Sequence, residues 1–303
     1  MNDKFITARK IETNRVLLID WSNLSMRNLL ALPFDPTDHE KFLNWRNMML
    51  RSLKKILKEH EASRVIFCLD GFENWRKEYY PEYKANRKEA REASKIDFNA
   101  FFKVQNEFIE GLKSILTNCQ FLKVHRAEAD DLIGVITKKR PDWKITLISS
   151  DRDFYQLYKY PNFRQYDAIK GKFIEVIDPK NYLLEKVVLG DAGDNVPKLK
   201  RGVGPKTIAK ILNSTEGLDE WLKIENLEKE FERNMVLISF DFIPDDIQCS
   251  IDKAVSEWHA SKFNARGLMD FLIKNGCGGQ VSEIGVFSNL FKQFDDLAEE
   301  TDN

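Results

Sequence analysis

The sequence predicts an α/β fold: a mostly parallel central sheet with flanking helices, followed by a helical C-terminal part. Three observations carry this. Val16-Leu-Leu-Ile-Asp20, Arg64-Val-Ile-Phe-Cys-Leu-Asp70 and Lys144-Ile-Thr-Leu-Ile-Ser-Ser-Asp151 are short apolar runs, as buried parallel strands require, and each ends in aspartate. Helical patterns separate them, over 39–60 and through Leu132, Ile133, Val135 and Ile136. From Asn181 onward the apolar spacing is helical. Strands alternating with helices give right-handed crossovers, and ligands then bind outside the carboxyl ends of the strands. The three strand-end aspartates should therefore share one crevice.

The remaining elements follow in order. Phe163 to Ile177 alternates apolar and polar residues around Lys170-Gly171-Lys172, which predicts a β-hairpin at the sheet edge. A boundary near residue 180 then divides an α/β core, 1–180, from a helical domain, 181–303, expected to pack against it as one unit. Leu227, Phe231, Met235, Ile238 and Phe240 are spaced for one buried helix face. Ile284-Gly-Val-Phe-Ser-Asn-Leu-Phe-Lys-Gln-Phe294 is an aromatic cluster that either closes the core, the favoured reading, or docks on a partner. Asp295 to Asn303 is acidic enough to fray.

Composition sets outer limits. At 303 residues and 43% hydrophobic content the chain can bury a substantial core without staples. Cys68, Cys119, Cys249 and Cys277 form no C-x-x-C pair, which speaks against a disulfide framework or zinc knuckle and for a reduced cytoplasm. The N-terminal residues are charged and lack an apolar signal core, and no stretch approaches the roughly 18 apolar residues of a membrane span. No membrane association is expected. Lys plus Arg number 47 against 48 Asp plus Glu, so overall charge does not advertise a nucleic-acid binder; the distribution does.

The acids gather. Asp20, Asp70, Glu128, Asp130, Asp131, Asp151, Asp153, Asp191 and Asp194 come from five segments. Any one strand-end Asp is ordinarily a turn or helix cap. Brought to one crevice, however, so many like charges repel unless hard cations sit among them. Oxygen ligands without nearby His or Cys favour magnesium, or manganese in its place, over zinc. His39, His60, His125 and His259 are dispersed and read as surface or packing residues. Two such ions can carry phosphodiester hydrolysis without a protein nucleophile.

The bases gather too. Between Phe72 and Lys95 lie Arg76, Lys77, Lys84, Arg87, Lys88, Arg91 and Lys95, interleaved with Trp75, Tyr79, Tyr80 and Tyr83. Cations neutralise phosphate and aromatic faces stack on unpaired bases, although Glu78, Glu82, Glu89 and Glu92 also permit a plain solvated helix. The segment leaves the end of the Asp70 strand, which favours the first reading. A second basic segment runs Lys198-Leu-Lys-Arg-Gly-Val-Gly-Pro-Lys-Thr-Ile-Ala-Lys210 without an acid. Gly202-Val203-Gly204 before Pro205 reads as a helix-hairpin-helix turn near 198–213, in which Arg201, Gly202, Gly204, Lys206, Thr207 and Lys210 would meet a DNA phosphate backbone.

Asp20, Asp70, Glu128-Ala-Asp-Asp131, Asp151-Arg-Asp153 and Asp191-Ala-Gly-Asp-Asn195 match, in order and spacing, the carboxylate motifs of the 5′ nuclease (flap endonuclease) superfamily. Through Trp75-Arg76, Tyr83-Lys84, Asn86-Arg87, Ala90-Arg-Glu92, Lys159-Tyr-Pro-Asn162 and Phe240-Asp-Phe-Ile-Pro-Asp245 the chain is most similar to the branch formed by the ribonucleases H of T-even phages. The resemblance implies a PIN-like 5′ nuclease core with two magnesium sites. Asp20, Asp70, Glu128, Asp130 and Asp151 would surround the first, with Asp131, Asp153, Asp191 and Asp194 nearer the second. It also implies that 72–95 is an arch passing a 5′ single strand, with Lys84 and Arg87 on the scissile phosphate, Tyr83 stacking on a base, and Arg76, Lys88 and Arg91 on the strand. In many members the hairpin carbonyls hold a potassium ion. The expected activity is hydrolysis near 5′ ends of RNA·DNA hybrids and of duplex or flap DNA, as in removal of RNA primers during replication. The chain would act as a monomer, with a replication clamp or single-strand-binding protein as candidate partners.

Rival readings explain less. A PIN-like ribonuclease usually has fewer carboxylates and neither arch nor hairpin. A non-catalytic flap-binding protein would have lost acids that are all present here. An Asp-based phosphotransferase leaves both basic segments unexplained.

Overall fold

The computed structural model describes residues 14–32, 38–214 and 217–295, and the end of the acidic tail, 296–303, lies outside these. The chain runs β1 (Arg15–Asp20), α1 (Trp21–Leu30), α2 (Asp38–Glu59), β2 (Arg64–Cys68), α3 (Trp75–Tyr79), α4 (Asn86–Glu92), α5 (Phe98–Ile115), β3 (Gln120–Leu122), α6 (Ala129–Lys139), β4 (Lys144–Ile148), β5 (Phe163–Asp167) and β6 (Lys172–Phe173). There follow α7 (Pro179–Leu189), α8 (Pro205–Leu212), α9 (Gly217–Glu225), α10 (Glu228–Ile238), α11 (Asp245–Ser256), α12 (Gly267–Lys274) and α13 (Ile284–Lys292).

The strands form one sheet in the order β3-β2-β1-β4-β5-β6. All neighbours are parallel except β6, which returns antiparallel to β5 with Tyr166 opposite Phe173. This is the predicted edge hairpin, turned at Gly171, whose φ of 66° needs no Cβ. From β1 the chain winds outward to β2 and β3, then crosses to β4 on the other side. The crevice therefore opens at the carboxyl ends of β1 and β4, where the strand order switches. Register puts Asp20 beside Cys68 and Ile19 beside Ile148, so Asp20, Asp70 and Asp151 emerge at one level.

Alternation along β1 feeds two cores. Leu17 and Ile19 join Trp21, Trp45, Phe67, Phe101 and Phe108 beneath α2 and α5. Val16 and Leu18 join Leu132, Ile133, Val135, Ile136, Phe154 and Phe163 around α6. The C-terminal helices cover both faces. Ile247, Ile251 and Val255 of α11 belong to the α6 side, whereas Leu268, Phe271 and Leu272 of α12 and Phe287 and Phe291 of α13 belong to the α2–α5 side. The aromatic tail thus closes the core, with Phe294 also buried. A smaller cluster of its own, Val188, Leu199, Val203, Ile208 and Leu222, holds α7, α8 and α9 together. Phe240 departs from the predicted helix face: α10 stops at Ile238, and Phe240 packs from a following tight turn, its ring tilted by 38° to that of Phe154 with centroids 5.9 Å apart.

Candidate metal centre and nucleic-acid interface

Each strand-end carboxylate accepts a backbone amide from the start of a helix or turn. Asp20 caps α1, accepting from the Asn23 amide at 3.1 Å, and accepts the Ser149 hydroxyl at 2.8 Å. Asp70 accepts the Ala129 amide at 2.9 Å, which ties the end of β2 to the first turn of α6 and so places Glu128 and Asp130 beside it. The approach is close: a Cβ on Gly71 would stand 2.3 Å from the Val124 carbonyl, so a side chain there would push the loop away. Asp151 follows β4 and accepts the Asp153 amide at 3.0 Å, while Gln165 of β5 donates to the Ser149 and Asp151 carbonyls.

Two groups result. In the first, burial outweighs two hydrogen bonds and pushes Asp20 up to about 7, with Asp151 and Asp70 adding smaller repulsion. Burial and the charges of Asp20 and Asp151 drive Asp130 well above the carboxylate range. In the second, ligand oxygens of Asp153, Asp191 and Asp194 lie within 4.8 Å of one another. Burial raises Asp153 to about 6. Carboxyls that burial makes hold protons near neutrality are what a divalent cation would relieve. Cys68 beside Asp20 stays a thiol, because burial and then Asp20 raise it well above its usual range. The available donors are oxygens, and they fit a hard ion such as magnesium better than zinc.

The raised values have a pH consequence. The fold favours protonated Asp20, so the stability it contributes without metal is lost as pH rises from near 4, its unfolded value, to about 7. A metal must displace that proton. Divalent-ion affinity should therefore rise about tenfold or more between pH 5.5 and 8 and level off above, which calorimetric titration at several pH values would detect. Affinity flat across that range would show that Asp20 is already ionised.

Three sequence expectations are corrected by burial. Asp131 is fully buried and engaged by Arg76, which also bonds Glu128: it accepts two bonds from Arg76, at 2.8 and 3.1 Å, plus the Trp75 indole and the Glu128 amide. Its charge is already matched, so it is a structural anchor and not a metal ligand. Arg76 is only 2% exposed and gives two further N–H groups to Glu128 and the Leu237 carbonyl, so it cannot meet a nucleic acid. Tyr83 is 3% exposed, with its hydroxyl 3.0 Å from both Glu128 and Asp194, and has no free face for a base. All three types look surface-active in sequence, and only tertiary packing shows otherwise.

Lys84 and Arg87 pair with carboxylates of both groups. The Lys84 ammonium lies 2.5 Å from Glu128 and 3.6 Å from Asp194, and Arg87 bonds Asp194 at 2.6 Å. Despite its burial, Lys84 and then Arg76 hold Glu128 down at about 2. The backbone fastens this segment as well. The Lys84 amide donates to the Asp194 carbonyl at 2.8 Å, Asn86 to the Ala192 carbonyl at 2.7 Å, and Asn195 to the Glu82 carbonyl at 2.7 Å. Lys84 and Asn195 both adopt left-handed backbone, each at φ 57°, to make this clasp. Beyond it a cleft of about 1200 Å³ opens beside Asp70 and Glu128, lined by Lys77, Lys84, Arg87, Lys88, Arg91 and Lys95. Phe72, 86% exposed, stands at its edge.

The second basic segment forms the turn between α7 and α8. Gly202 has φ 86°, Gly204 precedes α8 and Pro205 begins it. Val203 and Ile208 point into the small cluster, leaving Arg201, Lys206, Thr207 and Lys210 exposed. No sequence motif marks Lys186, which α7 places between Asp153 and Asp191. A single lysine in a helix with no motif around it carries no signal.

Comparison with known proteins agrees with this geometry. The family described as 5′-3′ exonuclease, N-terminal resolvase-like domain, matches residues 15–187. Ribonuclease H of Enterobacteria phage T4 is 29% identical over 296 residues, covering 90% of this chain and 95% of its own. The flap endonuclease Xni of Shewanella denitrificans is 32% identical over 212 residues, 66% of this chain and 77% of its own. Among solved structures, the T5 D15 protein co-crystallised with metal ions superimposes with a TM-score of 0.62 at 19% identity over 89% of this chain and 99% of its own. The catalytic core of Rad2 in complex with DNA substrate gives 0.54 at 14% identity, covering 93% of each chain. These structural likenesses establish the fold.

Proposed function

We propose, on the premise that this chain belongs to the 5′-3′ exonuclease family, that it hydrolyses phosphodiester bonds near the 5′ ends of RNA·DNA hybrids and of duplex or flap DNA, with primer removal in replication as its role. The observation that carries the reading is the juxtaposition of two carboxylate groups with Lys84 and Arg87 at the mouth of a cleft lined by charges of both signs. Asp20, Asp70, Glu128, Asp130 and Asp151 would hold one magnesium ion and Asp153, Asp191 and Asp194 a second, with manganese as a substitute. Bound ions supply Lewis acidity for the attacking water and the leaving oxygen.

The chain's own groups do the rest. Arg87 and Lys84 hold the scissile phosphate, and Lys88 and Arg91 neutralise the strand beyond it. Arg201, Lys206, Thr207 and Lys210 grip the duplex at the hairpin, where carbonyls would take potassium. A replication clamp or single-strand-binding protein is the partner class that this role involves. Product mapping on 5′-labelled flap, nicked duplex and RNA·DNA hybrid, with and without magnesium, tests the reading: binding without cleavage on all three would identify a flap-binding protein instead.

Two variants separate chemistry from grip. Lys84→Ala and Arg87→Ala should each slow single-turnover cleavage of a 5′-overhang on the order of 100-fold, the size of a lost oxyanion-type donor, with much smaller losses in affinity. Lys88→Ala is the control, and an equal small loss in all three would reduce the segment to an electrostatic funnel. Lys206→Ala should weaken duplex binding and lower the salt slope by about one unit without moving the cut. An unchanged slope would return Lys206 to an ordinary solvated lysine.

A further inference from the structure

The space enclosed by Asp153, Asp191 and Asp194 is shared with an ammonium group. Lys186, in the last turn of α7, bonds Asp153 and lies 2.9 Å from Asp191. Its side chain is 13% exposed, and its position is fixed from both sides along the helix. Tyr182, one turn earlier, packs 4.9 Å from the Tyr155 ring, and Asn234 grips the carbonyl of the next residue, Val187, at 2.9 Å. Burial works against the charge, but Asp153 and Asp191 more than compensate, so Lys186 stays protonated. The first carboxylate group differs. Among the described residues, Asp20, Asp70, Asp130 and Asp151 take part in no ion pair, and only Glu128 there meets a lysine.

We propose that Lys186 is a tethered cation that competes with a divalent ion for the Asp153–Asp191–Asp194 cluster, so that this cluster fills after, and more weakly than, the Asp20–Asp130–Asp151 group. Filling it displaces the ammonium from both carboxylates. The physical reason is charge: Arg87 and Lys84 meet the cluster at Asp194, Lys186 cancels one further negative charge at Asp153 and Asp191, and the incoming ion must break this half-buried pair before it gains its ligands. The second site then responds to metal concentration within the range over which the first is already saturated. Lys186 thereby sets the metal level at which the site is complete. This inference rests on the metal-dependent reading above.

The test is manganese or calcium binding, read by calorimetry on the full chain without nucleic acid, for the wild type, Lys186→Met and Lys186→Arg. The wild type should bind in two phases. Lys186→Met should tighten the weaker phase about tenfold or more and leave the tighter one in place, whereas Lys186→Arg, which keeps the charge, should leave the weaker phase weak. Thermal melting adds a second readout: without metal, Lys186→Met should melt below the wild type, and saturating metal should close the gap. A weaker phase that is unchanged or absent in Lys186→Met, with the tighter phase intact, overturns the competition. Absence of any metal binding by the wild type would overturn the metal-dependent reading itself.

Discussion

Asp130→Asn or Asp151→Asn is expected to abolish cleavage nearly completely, by on the order of 1000-fold or more, while DNA binding stays the same or strengthens. The scale is that of losing electrostatic stabilisation where charge develops. Each substitution removes one carboxyl from a group in which burial and mutual repulsion already hold Asp20 up at about 7 and Asp130 well above the carboxylate range. The asparagine keeps the shape and loses the charge that holds a cation. A phosphate approaching the same crevice meets less repulsion, hence the opposite sign for binding. Single-turnover cleavage and equilibrium binding of one labelled substrate, measured on both variants, give the two signs independently. Undiminished turnover in either variant, or full activity in excess chelator, would refute the metal mechanism.

Arg76→Met should destabilise the fold by about 3–5 kcal/mol, the range for removing one partner of a buried ion pair. Asp131 would be left without its two-pronged partner, retaining only the Trp75 indole and the Glu128 amide. The double variant Arg76→Met/Asp131→Leu should recover much of the loss, because the stranded charge goes too. Denaturant unfolding of the three proteins measures this. If the single variant costs under about 1 kcal/mol, the pair is solvated and Asp131 is available to a metal after all. Such a large effect at a residue that sequence assigns to the strand would separate the scaffold of the arch from its working face.

How far sequence reached follows from range. The runs ending in Asp20, Asp70 and Asp151 announced their strands because buried parallel strands are continuous apolar runs bounded by polar residues. β3, three residues long at Gln120–Leu122, is too short to show any period. The edge hairpin was legible from Gly171, although β6 is reduced to two residues. Among candidate site residues, spacing picked out the acids but could not tell Asp130 from its neighbour Asp131. One residue along a helix start turns a carboxylate from Asp20 and Asp151 toward Arg76. Arg76 and Tyr83 were misread for the same reason, since a cation and an aromatic look alike in sequence whether they face solvent or a buried carboxylate. Lys186 was invisible because its partners lie on other segments and no local pattern links them.

The clasp between Glu82–Arg87 and Asp191–Asn195 joins stretches more than a hundred residues apart in sequence. Its bonds are mostly to backbone, and they rely on two left-handed residues facing each other, Lys84 and Asn195. In evolutionary terms the two stretches form a single heritable unit. A residue inserted or deleted on either side would break the register of both and misplace Lys84 and Asp194 together. The exposed run beyond Arg87, from Lys88 toward Lys95, carries no such constraint. Lineages can therefore lengthen, shorten or recharge that run to suit different strands, provided the lengths of the two clasped stretches stay fixed.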